Sequence, residues 1–124
     1  MASRPILSPF SVITNGDMSG NITSKVTVIQ NLSLVSYALS WSGATPIGVI
    51  SVQVSNDYSQ NADGTVRDPG TWNTLPLSEP TDVSGNTGEG FIDIDANAGF
   101  ALRVVYTAGS GTGTLQCTVN GKVS

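Results

Sequence analysis

The clearest signal in the chain is strict alternation of apolar and polar residues, the period expected of strands that bury one face. From Val35 to Ser42 the residues Val35, Tyr37, Leu39 and Trp41 fall on one side and Ser36, Ala38, Ser40 and Ser42 on the other. Val49 to Ser55 repeats the pattern, with Ile50, Val52 and Val54 opposite Ser51, Gln53 and Ser55. The stretch Gly43 to Gly48, which holds Pro46, predicts a turn between these two strands. Toward the C-terminus, Leu102, Val104 and Tyr106 alternate with Arg103, Val105 and Thr107. After Gly-Ser-Gly-Thr-Gly, Leu115, Cys117 and Val119 alternate with Gln116, Thr118 and Asn120, so the pair reads as a hairpin. Weaker strands are expected at Lys25 to Gln30, Thr71 to Leu77, Phe91 to Ile94 and Phe10 to Thr14.

Gly, Pro, Asn and Asp break every interval, and no window has the spacing of an amphipathic helix longer than about a turn. Seven or eight short strands predict an all-β fold, an antiparallel two-sheet sandwich of jelly-roll type, because two half-buried sheets must cover one another. Trp41, Tyr37, Trp72, Phe91 and Tyr106 are its expected large core residues. Residues 25–124 form the sandwich domain in this reading. Residues 1–24, rich in Pro, Gly and Asn, form an N-terminal arm or an edge segment. The polar stretch Asn56 to Gly70 is a surface loop of a length that often carries function.

Composition narrows the chemistry. The chain has 124 residues, enough for one domain with a real core, and 39% are apolar while only 11% are charged. Its net charge of −4 leaves Arg4, Lys25, Arg67, Arg103 and Lys122 dispersed, so no basic stripe marks a nucleic-acid partner. Histidine is missing, which removes the commonest general base and the commonest transition-metal ligand. Cys117, the single cysteine, sits on an apolar strand face and reads as a core residue. No run reaches the length of a membrane span, and the first residues lack the apolar centre of a signal peptide. The chain therefore reads as made in the cytoplasm and used there or built into a larger assembly.

Candidate sites are few. Asp93, Asp95 and Asn97 share a strand face, and Asn61 to Gly64 with Asp57 and Asp68 gathers oxygens in the long loop; either set suits calcium, and each also suits ordinary turns and exposed faces. The expectation is no metal, no cofactor and no catalytic residue. Asn21-Ile-Thr and Asn31-Leu-Ser match a glycosylation sequon but read as turn chemistry. Tyr58 in the long loop, and Trp72 after it, are the side chains best suited to stack on a sugar ring.

Two segments carry a resemblance. Ile50-Ser-Val-Gln-Val-Ser-Asn-Asp, followed by Gly70-Thr-Trp-Asn-Thr-Leu-Pro-Leu, resembles a pattern of discoidin-like β-sandwich modules. Leu102-Arg-Val-Val-Tyr-Thr, Gly111-Thr-Gly-Thr-Leu and Val119-Asn-Gly-Lys resemble the closing hairpin of small virion proteins of tailed bacteriophages. Together they span about the last three-fifths of the chain. The chain lacks the paired cysteines and the clustered exposed aromatics of the discoidin relatives. The resemblance implies a non-enzymatic virion protein, a capsid decoration or cement protein that binds the major capsid protein or other virion proteins in the assembled shell. Independently of the resemblance, low charge, neutral polar strand faces and the lack of a catalytic set suit a homo-oligomer, with a trimer at a symmetry axis of the shell expected, and the dispersed charges and short apolar runs suit neither nucleic acid nor membrane as a partner. The alternative is a carbohydrate-binding module of a tail or head fibre, with a glycan as partner.

Overall fold

The computed structural model describes residues 6–28, 34–75, 82–95 and 101–122. Within them the chain is all-β and antiparallel, with strands β1 (Ile6–Asp17), β2 (Ile22–Thr23), β3 (Thr27–Val28), β4 (Leu34–Ser55), β5 (Ser59–Gln60), β6 (Val66–Asp68), β7 (Asn73–Thr74), β8 (Asp82–Val83), β9 (Thr87–Asp95) and β10 (Ala101–Lys122). Eight strands form one hydrogen-bonded sheet, and β5 with β6 forms a small hairpin apart from it.

The centre of the fold differs from the alternation's simplest reading. The expected hairpin at residues 102–120 is a single strand, and so are the two strands expected at residues 35–55. β4 and β10 pair with each other along their whole length, from Leu34 opposite Lys122 to Ser55 opposite Ala101. The Gly- and Pro-rich stretches are not turns. They lie beside each other, Gly43 opposite Gly113 and Gly48 opposite Ala108, with register shifts between Ala108 and Thr112. Extra residues in paired strands bend both of them. The side-chain parity changes at the same place: Val35, Tyr37 and Leu39 are buried before the bend, and Ile50 and Val52 after it.

One bent sheet thus supplies both layers. The first layer runs β9, the first half of β4, the second half of β10, and β1. In the second layer, β7 and β8 flank the second half of β4, which pairs with the first half of β10, and β2 and β3 close the other side. A single core lies between, made by Val35, Tyr37, Leu115, Cys117 and Val119 from one layer and Val52, Leu102, Val104 and Tyr106 from the other. The Tyr37 hydroxyl, in the first layer, donates to Thr27 Oγ1 in the second at 3.4 Å.

Side chains complete the ladder where it is interrupted. Between β2 and β3, Ser24 N–H donates to the Val104 carbonyl and Ser24 Oγ accepts from Val104 N–H, both at 2.8 Å. At the bend, Thr45 has φ of 52°, a left-handed conformation that β-branched residues rarely take. Its N–H and its hydroxyl both donate to Asn86 Oδ1 at 3.0 Å, and the Asn86 carbonyl accepts from Gly43 N–H at 2.8 Å. Asn86 therefore clamps the kink from the β8–β9 turn. Opposite it, Gly111 has φ of 78° and its backbone lies so close to Thr45 that a β-carbon would collide with the Thr45 carbonyl.

Expectations about two residues and two strands change. Phe91 is not core: it is 60% exposed, because Ile92 and Ile94 take the inward positions of β9. Trp72 is half-buried on the outside of the second layer rather than between the layers. The strands expected at Lys25 to Gln30 and Thr71 to Leu77 shrink to Thr27–Val28 and Asn73–Thr74, with residues 29–30 and 76–77 outside the described segments.

Candidate functional site

The long loop after β4 is built on a buried serine. Ser55, 1% exposed, uses its Oγ to accept from the N–H groups of Asp57 and Tyr58 at 3.3 and 3.2 Å and to donate to Asp57 Oδ1 at 2.8 Å. The same carboxylate oxygen accepts from Thr71 N–H at 2.7 Å, tying the two ends of the loop together. Gly70, at φ of 77°, lets the returning backbone pass within reach of Ser55 and Tyr58. Closed by contacts between its own ends, the segment carries the small β5–β6 hairpin.

That closure brings Tyr58 and Trp72 together, their ring centres 5.9 Å apart and tilted by 55°. Tyr58 is not the exposed aromatic expected from a polar loop. Its ring is 5% exposed, and its hydroxyl accepts from Gln60 Nε2 at 2.8 Å. Trp72 donates its indole N–H to the Pro69 carbonyl at 2.8 Å. The Arg103 guanidinium lies over the indole with its carbon 4.3 Å from the ring centre, a cation–π contact. Arg103 Nε also donates to Gln53 Oε1 at 2.8 Å across the β4–β10 pair. Gln53, Arg103 and Trp72 thus form a half-buried patch outside the second layer, with Tyr58 packed against the indole.

Chemically this patch offers donors and an aromatic surface. Burial lowers Arg103 from its ordinary value, and a guanidinium stays charged regardless. Its remaining N–H groups and the Gln53 amide suit a carboxylate or hydroxyl ligand, while Arg103 already covers one side of the indole.

The loop carboxylates act as turn acceptors. Asp63 Oδ1 takes Thr65 N–H at 3.0 Å and the Thr65 hydroxyl at 2.6 Å, and Asp68 Oδ1 takes Gly70 N–H at 2.9 Å. Asn61, at the start of the same turn, donates to Thr65 Oγ1 at 3.0 Å. These bonds hold Asp57 and Asp63 below the ordinary carboxylate value, Asp57 chiefly through Thr71 N–H and Asp63 chiefly through the Thr65 hydroxyl. Among the described residues, no three acidic or cysteine side chains converge as a metal site would need. Asp93 is exposed on β9; the Asp95 side chain and Asn97 lie outside the described residues. Asn21 accepts from Ala108 N–H through Oδ1 at 2.9 Å, and Asn31 lies outside the described residues. Burial in the core pushes the Cys117 thiol up to about 12.

A second surface lies outside the first layer. Ala38, Ser40, Gln116 and Thr118 line an open depression of about 490 Å³ whose rim carries Glu89 and Phe91. Sequence reasoning missed both Phe91 here and Arg103 at the other patch. Alternation could have found Phe91, since it shares parity with Asp93. Arg103 needed the cross-strand register.

No protein-family model matches the chain, and no curated protein matches it in sequence. Its fold is similar to the crystal structure of the SPBc2 prophage-derived protein YomS, with a TM-score of 0.52 at 11% sequence identity. That similarity covers 97% of this chain and 96% of the other, so the two share one architecture from end to end.

Proposed function

We propose that the chain is a non-enzymatic structural protein of a bacteriophage particle, a decoration protein that binds the assembled shell through the major capsid protein or its neighbours and stabilises it. The observation that carries this reading is the end-to-end fold likeness to a prophage-derived protein. The outside of the first layer supports it physically. The central strands present Ser36, Ala38 and Ser40 beside Gln116, Thr118 and Asn120, uncharged side chains that can be covered with little desolvation of charge. A protein that binds the assembled shell and not its free subunits stabilises the shell by mass action.

The test is made on particles. Virions from the phage or prophage that encodes the chain are banded on a density gradient with and without the gene, and heat release of DNA is followed. Decoration predicts that the protein bands with heads and that heads lacking it release DNA at lower temperature; protein left at the top of the gradient, with unchanged heat release, refutes it. The mass of the protein in solution tests the trimer.

A glycan-binding role draws on the Trp72 and Arg103 patch. Buried Tyr58 and the guanidinium over the indole leave it less ring surface than a sugar platform uses. Loss of glycan-array binding in Trp72→Ala would favour it.

A further inference from the structure

We propose that β9 is a docking edge that accepts an extended basic segment of a partner protein as an added strand. The inference rests on the geometry and charge of this strand, not on the phage reading.

The two edges of the first layer are unlike. β1 carries Pro9 and three register shifts against β10, between Leu7 and Phe10, Ser11 and Ile13, and Ile13 and Gly16. Proline and bulges are devices that keep an edge from pairing further. β9 has neither. It pairs with β4 through nine unbroken positions, from Thr87 opposite Ser42 to Asp95 opposite Leu34. Among the described residues β4 is its only strand partner. Alternate residues of such a strand direct N–H and C=O groups away from the sheet, a template for strand addition.

Side chains on β9 indicate what would be added. Glu89, Phe91 and Asp93 stand in one exposed row, spaced by roughly 6.5–7 Å as alternate residues are. Their cross-strand neighbours on β4 are Ser40, Ala38 and Ser36. One strand further in, Gln116, Thr118 and Asn120 face these in turn. No side chain of these two rows carries a charge to offset the two carboxylates, and the small Ala38 leaves Phe91 proud of the surface.

A second copy of β9 is a poor occupant. Antiparallel pairing centred on Phe91 sets Glu89 against Asp93, and parallel in-register pairing sets each acid against itself. Like charges directly opposite are destabilising. The complementary strand carries Lys or Arg two positions either side of a small or apolar residue. Its cations would face Glu89 and Asp93 while its central side chain covers Phe91.

The probe is a seven-residue peptide of alternating sequence with lysines two positions either side of a central valine, compared with the same peptide carrying glutamates. Binding is read by amide hydrogen exchange and by chemical-shift titration of the intact protein. The lysine peptide should slow exchange of β9 amides by about tenfold or more when saturating and leave β1 amides unchanged; the glutamate peptide should do neither. Raising salt from low to physiological strength should weaken binding several-fold, as for exposed charge pairs. Glu89→Lys with Asp93→Lys should invert the preference between peptides. If that variant does not fold, Glu89→Gln with Asp93→Asn should abolish the preference while keeping side-chain shape. Equal binding of both peptides, or protection at β1 rather than β9, overturns the proposal. So does protection of β9 in the free protein that grows with its concentration, which would assign the edge to a second copy. Failure here leaves the particle experiment unaffected, and absence from the particle leaves this one unaffected.

Discussion

Asn86 clamps the fold's bend through two hydrogen bonds from Thr45, both made at an exposed site. Asn86→Ala removes both while leaving the Gly43 bond to the residue 86 carbonyl in place. A neutral hydrogen bond contributes about 0.5–1.5 kcal/mol net, and the freed groups of Thr45 reach water, so each bond counts near the lower half of that range. The loss is then about 1–2 kcal/mol. For a chain of 124 residues it corresponds to a fall in Tm of roughly 4–7 °C. Thermal unfolding followed by circular dichroism measures it; near the bend, the Trp41 indole N–H donates to the Ser84 carbonyl at 3.4 Å, two residues from Asn86. Thr45→Gly separates the parts of the clamp. It relieves a left-handed backbone that costs about 1–2 kcal/mol and removes one hydroxyl bond of about 1 kcal/mol, for a net change near zero or slightly favourable. In that background Asn86→Ala should cost only the remaining N–H bond, about half its effect in the wild type. A Tm for Asn86→Ala within about 1 °C of wild type, or an equal loss in both backgrounds, would refute the clamp.

Acid should weaken the fold through carboxylates that hold turns. Asp17, bonded by Ser19, joins Asp57 and Asp63 in having its value lowered from 3.8. A group lowered in the folded state stabilises fully above its unfolded value and loses that contribution as pH falls through the folded one. Tm should therefore be level above about pH 5 and fall below about pH 4, with a shallower fall in Asp57→Asn; a rise on acidification would contradict the assignment. Tyr106→Phe should leave Tm unchanged or raise it, by up to about 1–3 kcal/mol of stability, because the buried hydroxyl has no partner among the described residues. A clear loss of Tm in that variant would mean the hydroxyl is bonded.

The sequence made the strand faces legible and left the sheet's path hidden. Alternation placed Tyr37, Leu39, Val52, Leu102, Val104, Tyr106, Leu115 and Cys117 inward, and all are buried. It misled at Gly43–Gly48 and Gly109–Gly113, because glycine and proline signal a turn when read locally. Here each stretch lies opposite the other, and a bulge needs the same small, left-handed residues as a turn. That partnership links positions about 65 residues apart, beyond any local pattern. β2, β3, β7 and β8 span two residues each, too short to show a period. Phe91 was misplaced by its size: large aromatics favour cores, yet one strand cannot turn both Phe91 and Ile92 inward. At the candidate site the loop's polarity was legible, while the burial of Tyr58 was not, since it follows from a loop that closes on Ser55 and Thr71.

β10 is the strand that β1, β2, β3 and β4 all pair with, and it occupies residues 101–122. During synthesis, the earlier strands leave the ribosome with their ladder partner still untranslated. Among the described residues, β4 pairs sooner with β7, β8 and β9, and Lys25 N–H reaches the Val12 carbonyl of β1. The native sheet therefore cannot be assembled from the N-terminus onward and closes in a late step, after β10 has emerged. In that interval the first half of the chain presents alternating apolar strands without a cover, the kind of exposure that makes a nascent chain prone to associate with its copies.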